Sequence, residues 1–189
     1  WTASKYDYSA SANISDKESL KIEDNTIVYF VDDVFTVHKK RVKKLIRMMI
    51  DQNLGMRWKC EARADHLDDE ICELMAEAGC ERVKLGFESG SNKILKQIEK
   101  LETREEMLKG AEMLKRAGVP FSGYFMAGFP GETDDDVRQT IDFAKKIDAD
   151  YYSLSVLAPY YGTKLYNQLI KNGHALDKQP WEYFFHQSP

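Results

Sequence analysis

RVKLGFES at 82–89 and MRWKCEAR at 56–63 are apolar, β-rich runs that carry charges in a fixed alternation. Successive strand side chains point to opposite faces, so Glu61 and Arg63 share one face of their strand, and Lys84, Gly86 and Glu88 share one face of theirs. The central strands of an open doubly wound sheet are apolar on both faces. Charges recurring on one parity instead describe strands that enclose a polar lumen, which points to a barrel. The same kind of run recurs at TIVYFVDD (26–33), FSGYFMAG (121–128) and YYSLSVLA (151–158). Between the runs the period becomes helical: Val42, Leu45, Ile46, Met49 and Ile50 form one stripe, and Ile71, Leu74, Met75 and Ala78 another. Met107, Ala111 and Leu114 repeat the pattern, as do Val137, Ile141 and Ala144. Gly55, Gly79 and Gly118 stand where helices should stop; Thr103 with Glu106 reads as a capping box, and Thr133 opens a further helix. Run starts lie 30, 26, 39 and 30 residues apart, the length of a strand, a crossover helix and two loops. The fold class is therefore α/β, with repeated βα units on a parallel sheet.

At 189 residues the chain is short for an eight-unit barrel of about 250. Apolar residues make up 43% and charged residues 31%, which excludes a disordered or low-complexity chain. Lys and Arg number 27 against 31 Asp and Glu, so no global basic field favours nucleic acid, which is not expected as a partner. No run approaches the roughly 20 apolar residues of a membrane span, and WTASKYDYSA is unlike a signal peptide, so a cytoplasmic location is expected. Cys60, Cys72 and Cys80, spaced 12 and 8 apart, fit neither a disulfide framework nor a zinc ribbon and read as reduced, buried, small apolar residues. Segments 1–25 and 174–189 lack the period, leaving 26–173 as the patterned unit.

The polar residues concentrate where strands end, the edge at which barrels and open sheets alike place their sites. FVDDVFT (30–36) sets two acids there, able to bind a metal or to accept from an ammonium or hydroxyl; the alternative is a turn in which Asp33 or Thr36 caps the helix beginning near His38. GFESGS (86–91) offers glycines for close backbone approach and a glutamate able to grip two ribose hydroxyls; its alternative is Ser89 or Ser91 capping the next helix. GFPGETDDD (128–136) lacks the Lys-Ser/Thr of a P-loop, and its acids read as complements to a helix dipole. His38, His66, His174 and His186 form no pair at metal-binding spacing. Tyr151, Tyr152, Tyr160 and Tyr161 could stack on a flat ring or pack at the sheet edge.

In order, FVDDVFT, WKCEARAD (58–65), AGCERVKLGFESGSNKILKQI (78–98), GYFMAGFPGETDDDVRQTIDFA (123–144) and APYYGTKLY (158–166) resemble the catalytic barrel of radical S-adenosylmethionine enzymes, most nearly members that carry a cobalamin-binding domain. The resemblance runs from Thr26 to Leu169. It implies a partial barrel of the (β/α) TIM type, with about five of the family's six βα units and truncation at the N-terminus. It implies S-adenosylmethionine as cofactor and a [4Fe-4S] cluster that reductively cleaves it, held by a CxxxCxxC loop after the family's first strand. On that likeness Asp32 and Asp33 face the methionyl amino group, Arg63 the carboxylate, and Glu88 with Ser91 the ribose and methionyl end. Met126 and Gly128 line the adenine, and Leu157 and Pro159 close that side. Paired aspartates in place of the family's Gly-Gly-Glu imply cobalamin, and with it methyl transfer or ring formation on a small-molecule substrate.

The departures shape the expectation further. CxxxCxxC occurs nowhere in the chain, so no metal ligand is assigned within it; the cluster segment and a cobalamin domain of a longer parent, and an electron donor, are expected as partners. Alone, the chain is expected to be inactive and to self-associate through an open sheet edge. Tyr161 stands where relatives have proline, and the adenine strand lacks the common Gly-x-Ile-x-Gly-x-x-Glu spacing. Three readings compete with the cobalamin enzyme: a methylthiotransferase on the same barrel, a metal-assisted hydrolase or aldolase using Asp32, Asp33 and Glu88, and a degenerate barrel that only binds. The hydrolase lacks the histidine or lysine convergence it needs at the strand ends.

Overall fold

The computed structural model describes residues 27–174 and 176–179. The unpatterned segment 1–25 and residues 180–189 of the tail lie outside them. Five strands alternate with helices: β1 (Ile27–Phe30), α1 (Lys39–Asp51), β2 (Arg57–Ala62), a 3₁₀ turn (Ala64–His66), α2 (Asp69–Glu77), β3 (Cys80–Glu88), α3 (Asn92–Gln97), α4 (Arg104–Ala117), β4 (Phe121–Ala127), α5 (Asp134–Ile147), β5 (Tyr151–Val156) and α6 (Lys164–Lys171). All neighbouring strands pair in parallel, in the order β1-β2-β3-β4-β5. Sequential order without a reversal is the topology of a barrel wall and not of a doubly wound sheet, which turns back on itself at a switch point.

The two parities of each strand do different work. Trp58 and Cys60 of β2, and Val83, Leu85 and Phe87 of β3, are fully buried beneath the helices. They meet Ile46 of α1, Ile71 and Met75 of α2, Met107 and Leu114 of α4 and Phe143 of α5 in one core. Glu61, Arg63, Lys84, Gly86 and Glu88 take the opposite parity and face a cavity. Each buried side chain of this size contributes about 1.5–3 kcal/mol. The apolar parity therefore holds the sheet to its helices and leaves the polar parity available for chemistry.

Helix ends follow local chemistry. Thr103 and Thr133 both form complete capping boxes, with Glu106 and Asp136 respectively, and Gly118 closes α4 in the left-handed conformation at φ 70°. Asp68, Ser91 and Thr163 cap α2, α3 and α6. The start of α1 differs from expectation: neither Asp33 nor Thr36 caps it, His38 occupies the cap position without a side-chain bond, and Thr36 is buried. α4 lies so close to the 3₁₀ turn that a Cβ on Gly110 would sit 2.7 Å from both the Cβ and the carbonyl oxygen of Ala64. β5 forms an edge of the sheet, with Tyr152, Leu154 and Val156 exposed. Among the described residues no helix is long and apolar enough to cross a membrane.

Candidate functional site

A cavity of about 670 Å³ opens at the C-terminal edge of the strands. Its wall runs from Asp33, after β1, through Glu61 and Arg63 of β2 to Gly86 and Glu88 of β3, then to Met126 of β4 and Leu157 beyond β5. Charge lies on the β2–β3 side and apolar surface on the β4–β5 side. The arrangement suits a molecule with one ionic end and one flat or apolar end.

At the rim, Glu88 adopts φ 63°, in the left-handed region, and the β3–β4 register slips between Gly86 and Glu88. Such a bulge re-aims a side chain at the cost of strain. Burial pushes the Glu88 carboxyl above the ordinary glutamate range; Lys100 opposes the shift and Glu102 adds to it. Lys100 reaches in from the α3–α4 connection, its Nζ donating to the Gly86 carbonyl at 2.7 Å and lying 3.8 Å from Glu88 Oε1. Arg63 is held in a fork by Asp65, Nε to Oδ1 at 3.0 Å and Nη2 to Oδ2 at 2.8 Å. The pairing raises the arginine and, through the Arg63 bond above all, lowers Asp65. On the same face of the sheet the exposed Tyr29 hydroxyl donates to Glu61, and Lys84 Nζ donates to the same hydroxyl at 3.0 Å while lying 4.3 Å from the ring centroid. Tyr29 is raised by burial and then by Glu61.

The structure brings Asp33, Arg63, Glu88, Met126 and Leu157 together on this cavity. Asp32, Ser91, Gly128 and Pro159 are not part of its lining. Ser91 is buried: its hydroxyl donates to Asp136 at 2.6 Å and accepts from the Ile94 amide at 3.4 Å, so it is committed to the packing of α3 against α5. The capping alternative for Ser91 therefore describes its place. Gly128 adopts φ 87°, and its amide is taken by Glu132 at 2.5 Å. Two charged groups, Lys100 on the cavity and the buried Glu102 paired with it, have no local signature. Lys100 and Glu102 belong to no periodic stripe, and the one hint in the sequence is the 39-residue interval between the third and fourth runs, longer than the others. That interval holds two helices, α3 and α4, and the connection between them.

The cysteines do not fit an iron-sulfur cluster. All three are buried, and burial pushes the Cys72 thiol up to about 12, the opposite of what thiolate ligation needs. Among the described residues no three His, Cys, Asp or Glu side chains gather as a metal site. The cavity suits S-adenosylmethionine better, with cations for a carboxylate, acids for an ammonium or hydroxyls, and the Met126–Leu157 wall for a flat ring.

Comparison with known proteins agrees with the fold. The chain is 35% identical over 145 residues to an uncharacterized methyltransferase of Pyrococcus horikoshii, covering 77% of this chain and 32% of that protein. It is 36% identical over 85 residues to the tRNA-2-methylthio-N(6)-dimethylallyladenosine synthase of Finegoldia magna, covering 43% of this chain and 18% of that one. Its fold matches the radical S-adenosylmethionine methyltransferase TsrM from Kitasatospora setae, solved with cobalamin and a [4Fe-4S] cluster bound, at a TM-score of 0.67 and 20% identity over 77% of this chain and 28% of that one. The chain thus spans about a third or less of the relatives it matches. The sequence profile of the Radical SAM superfamily matches residues 14–144, most of the described barrel, and the chain belongs to that superfamily.

Proposed function

We propose that the chain is the S-adenosylmethionine-holding wall of a methyl-transferring radical S-adenosylmethionine enzyme. The observation that carries this reading is the convergence of Arg63, Glu88 and Lys100 on one side of the cavity, opposite Met126 and Leu157. In it the guanidinium of Arg63 faces the methionyl carboxylate, Asp33 the amino group and Glu88 the ribose hydroxyls, while Met126 and Leu157 flank the adenine. Bound S-adenosylmethionine supplies a methyl group or, after reductive cleavage, an organic radical; the chain binds it, fixes its orientation and excludes water. The cluster belongs to another part of the parent, and the electron donor is a separate partner. Methyl transfer is favoured by the Pyrococcus relative, and cobalamin by the paired aspartates Asp32 and Asp33. Thiomethylation is the second reading, favoured by the Finegoldia relative.

Titrating the 15N-labelled chain with S-adenosylmethionine tests the binding role. Shifts at residues 86–91 with a dissociation constant on the order of millimolar are expected, because the cluster that chelates the cofactor is absent. Shifts confined to residues outside the cavity would refute the assignment. Anaerobic reconstitution of this chain with iron and sulfide should yield neither colour nor 5′-deoxyadenosine. For the parent, a corrinoid spectrum that survives desalting after incubation with hydroxocobalamin supports the cobalamin reading. Its loss leaves thiomethylation as the better account.

A further inference from the structure

Glu102 stands directly before the cap of α4, and 1% of its side-chain surface is exposed. Nothing in the sequence motifs accounts for it. A carboxylate removed from water must be paired, and this one divides its two oxygens between two tasks. Oε1 accepts the amides of Ala64 and Asp65 at 2.9 and 3.3 Å, tying the start of α4 to the 3₁₀ turn that follows β2. Oε2 accepts no hydrogen bond; it lies 3.0 Å from Lys100 Nζ and 3.9 Å from Arg63 Nε.

We infer that Glu102 is a positioning residue for the cavity, setting both of its rim cations through one buried carboxylate. It holds Lys100 by direct ion pairing. It holds Arg63 indirectly, by fixing the turn from which Asp65 makes its forked bond to the guanidinium. The role of the two cations toward a ligand rests on the function proposed above, whereas the positioning itself rests on the contacts alone. A purely structural cap needs an acceptor at Oε1 and nothing more. The placement of the second oxygen against Lys100 is what distinguishes the two roles: Oε2 holds the ammonium at 3.0 Å, whereas Glu88 stays 3.8 Å off. Remove that charge and Glu88 becomes the remaining carboxylate within reach of Lys100, so that the ligand-facing acid is consumed by an internal pair.

Glu102→Gln separates the roles, because the amide keeps an acceptor for Ala64 and Asp65 but offers Lys100 no negative charge. Two measurements on the full chain decide it. The titration midpoint of Glu88, followed by side-chain 13C NMR, should fall toward the ordinary glutamate range in the variant, since a like charge is removed and Lys100 is freed to pair. Affinity for S-adenosylmethionine should weaken about tenfold, the scale of one charge-assisted hydrogen bond. A variant that matches the wild type in both measurements overturns the inference and leaves Glu102 a cap. If the wild-type chain shows no cavity shifts with S-adenosylmethionine, the proposed function falls, and the Glu88 midpoint still decides the positioning role. Should Glu102→Gln fail to unfold cooperatively, Lys100→Met, in which the cap is intact, must show a comparable weakening of S-adenosylmethionine binding; wild-type affinity in that variant overturns the inference.

Discussion

Glu88 and Ser91 are three residues apart in one motif, yet they belong to regions of opposite character. Ser91 sits in a closed network: its hydroxyl bonds Asp136, whose other oxygen takes Lys93 at 2.6 Å and the Thr133 amide at 2.9 Å, while Ser89 meets Thr140 at 3.0 Å. These pairings hold Asp136 far below the ordinary carboxylate range, with Lys93 the largest cause, then Ser91 and Thr133. Glu88 is left-handed, is raised by burial and has Lys100 no nearer than 3.8 Å. Donors and acceptors match in the first region; in the second a strained acid is left without a close partner. Where a fold satisfies its polar groups they stabilise it, and where it leaves them unsatisfied a ligand is the natural completion. Substitutions at the two places should therefore change stability in opposite directions.

The largest effect is expected at Gly90, between the two residues. A Cβ there would overlap the Gln139 carbonyl oxygen, the Phe143 Cβ and the Thr140 Cα, all of α5. None of these atoms is a flexible side-chain end that could move aside. Gly90→Ala should cost about 3 kcal/mol, the upper range for overpacking, measured as a lowered urea midpoint. A loss below about 1 kcal/mol would mean that α5 is less tightly held than the geometry requires, and the contrast between the regions would weaken.

Glu88→Gly should act the other way. Glycine adopts φ 63° without steric penalty, so the change removes backbone strain and the burial of an acid together. A gain of about 1 kcal/mol is expected, a rise in Tm of roughly 2–4 °C for a domain of this size. S-adenosylmethionine-induced shifts at neighbouring amides should vanish at the same time. Stability gained as binding is lost would identify Glu88 as a residue kept for its ligand; loss of both would make it structural. Removing the α5 cap by Thr133→Ala gives the matching control in the satisfied region, with a loss of about 1 kcal/mol.

Much of this contrast lies beyond reach of the sequence, for a physical reason. The parity of Glu61, Arg63, Lys84 and Glu88 follows from the two-residue strand period, a local rule, and it locates one wall of the cavity as well as the fold. The capping boxes at Thr103 and Thr133 are legible because each spans three residues. Ser91 carries two readings, and its bond to Asp136, 45 residues away, places it in the helix packing. Lys100 and Glu102 are silent because their partners, Gly86 and Ala64, are reached only once α3 and α4 have folded back over the sheet. The absence of a side-chain cap on α1 is hidden for a related reason: Thr36 is drawn into the interior, and capping chemistry nearby does not guarantee a cap.

The smallest expected effect is a difference in pH dependence, and its sign follows from linkage. Asp136 and Asp65 titrate lower in the folded chain than in the unfolded one. Their contribution is fully present above the unfolded aspartate value near 3.9 and is lost as pH falls through the depressed folded values. Glu88 titrates higher in the folded chain. Its protonated form is favoured by folding, so stability rises as pH falls from neutrality through the raised value and levels off near the unfolded glutamate value of about 4.3. The wild-type chain should then gain slightly as pH falls from neutrality toward the unfolded glutamate value of about 4.3 and lose stability at lower pH, below the unfolded aspartate value. Glu88→Gln should flatten the upper limb and leave the acid loss intact, whereas Asp136→Asn should reduce the acid loss and leave the upper limb. Urea midpoints at half-unit intervals of pH would resolve both. If Glu88→Gln leaves the upper limb unchanged, the strained carboxylate is not the group titrating there, and the contrast drawn between the two regions would rest on geometry alone.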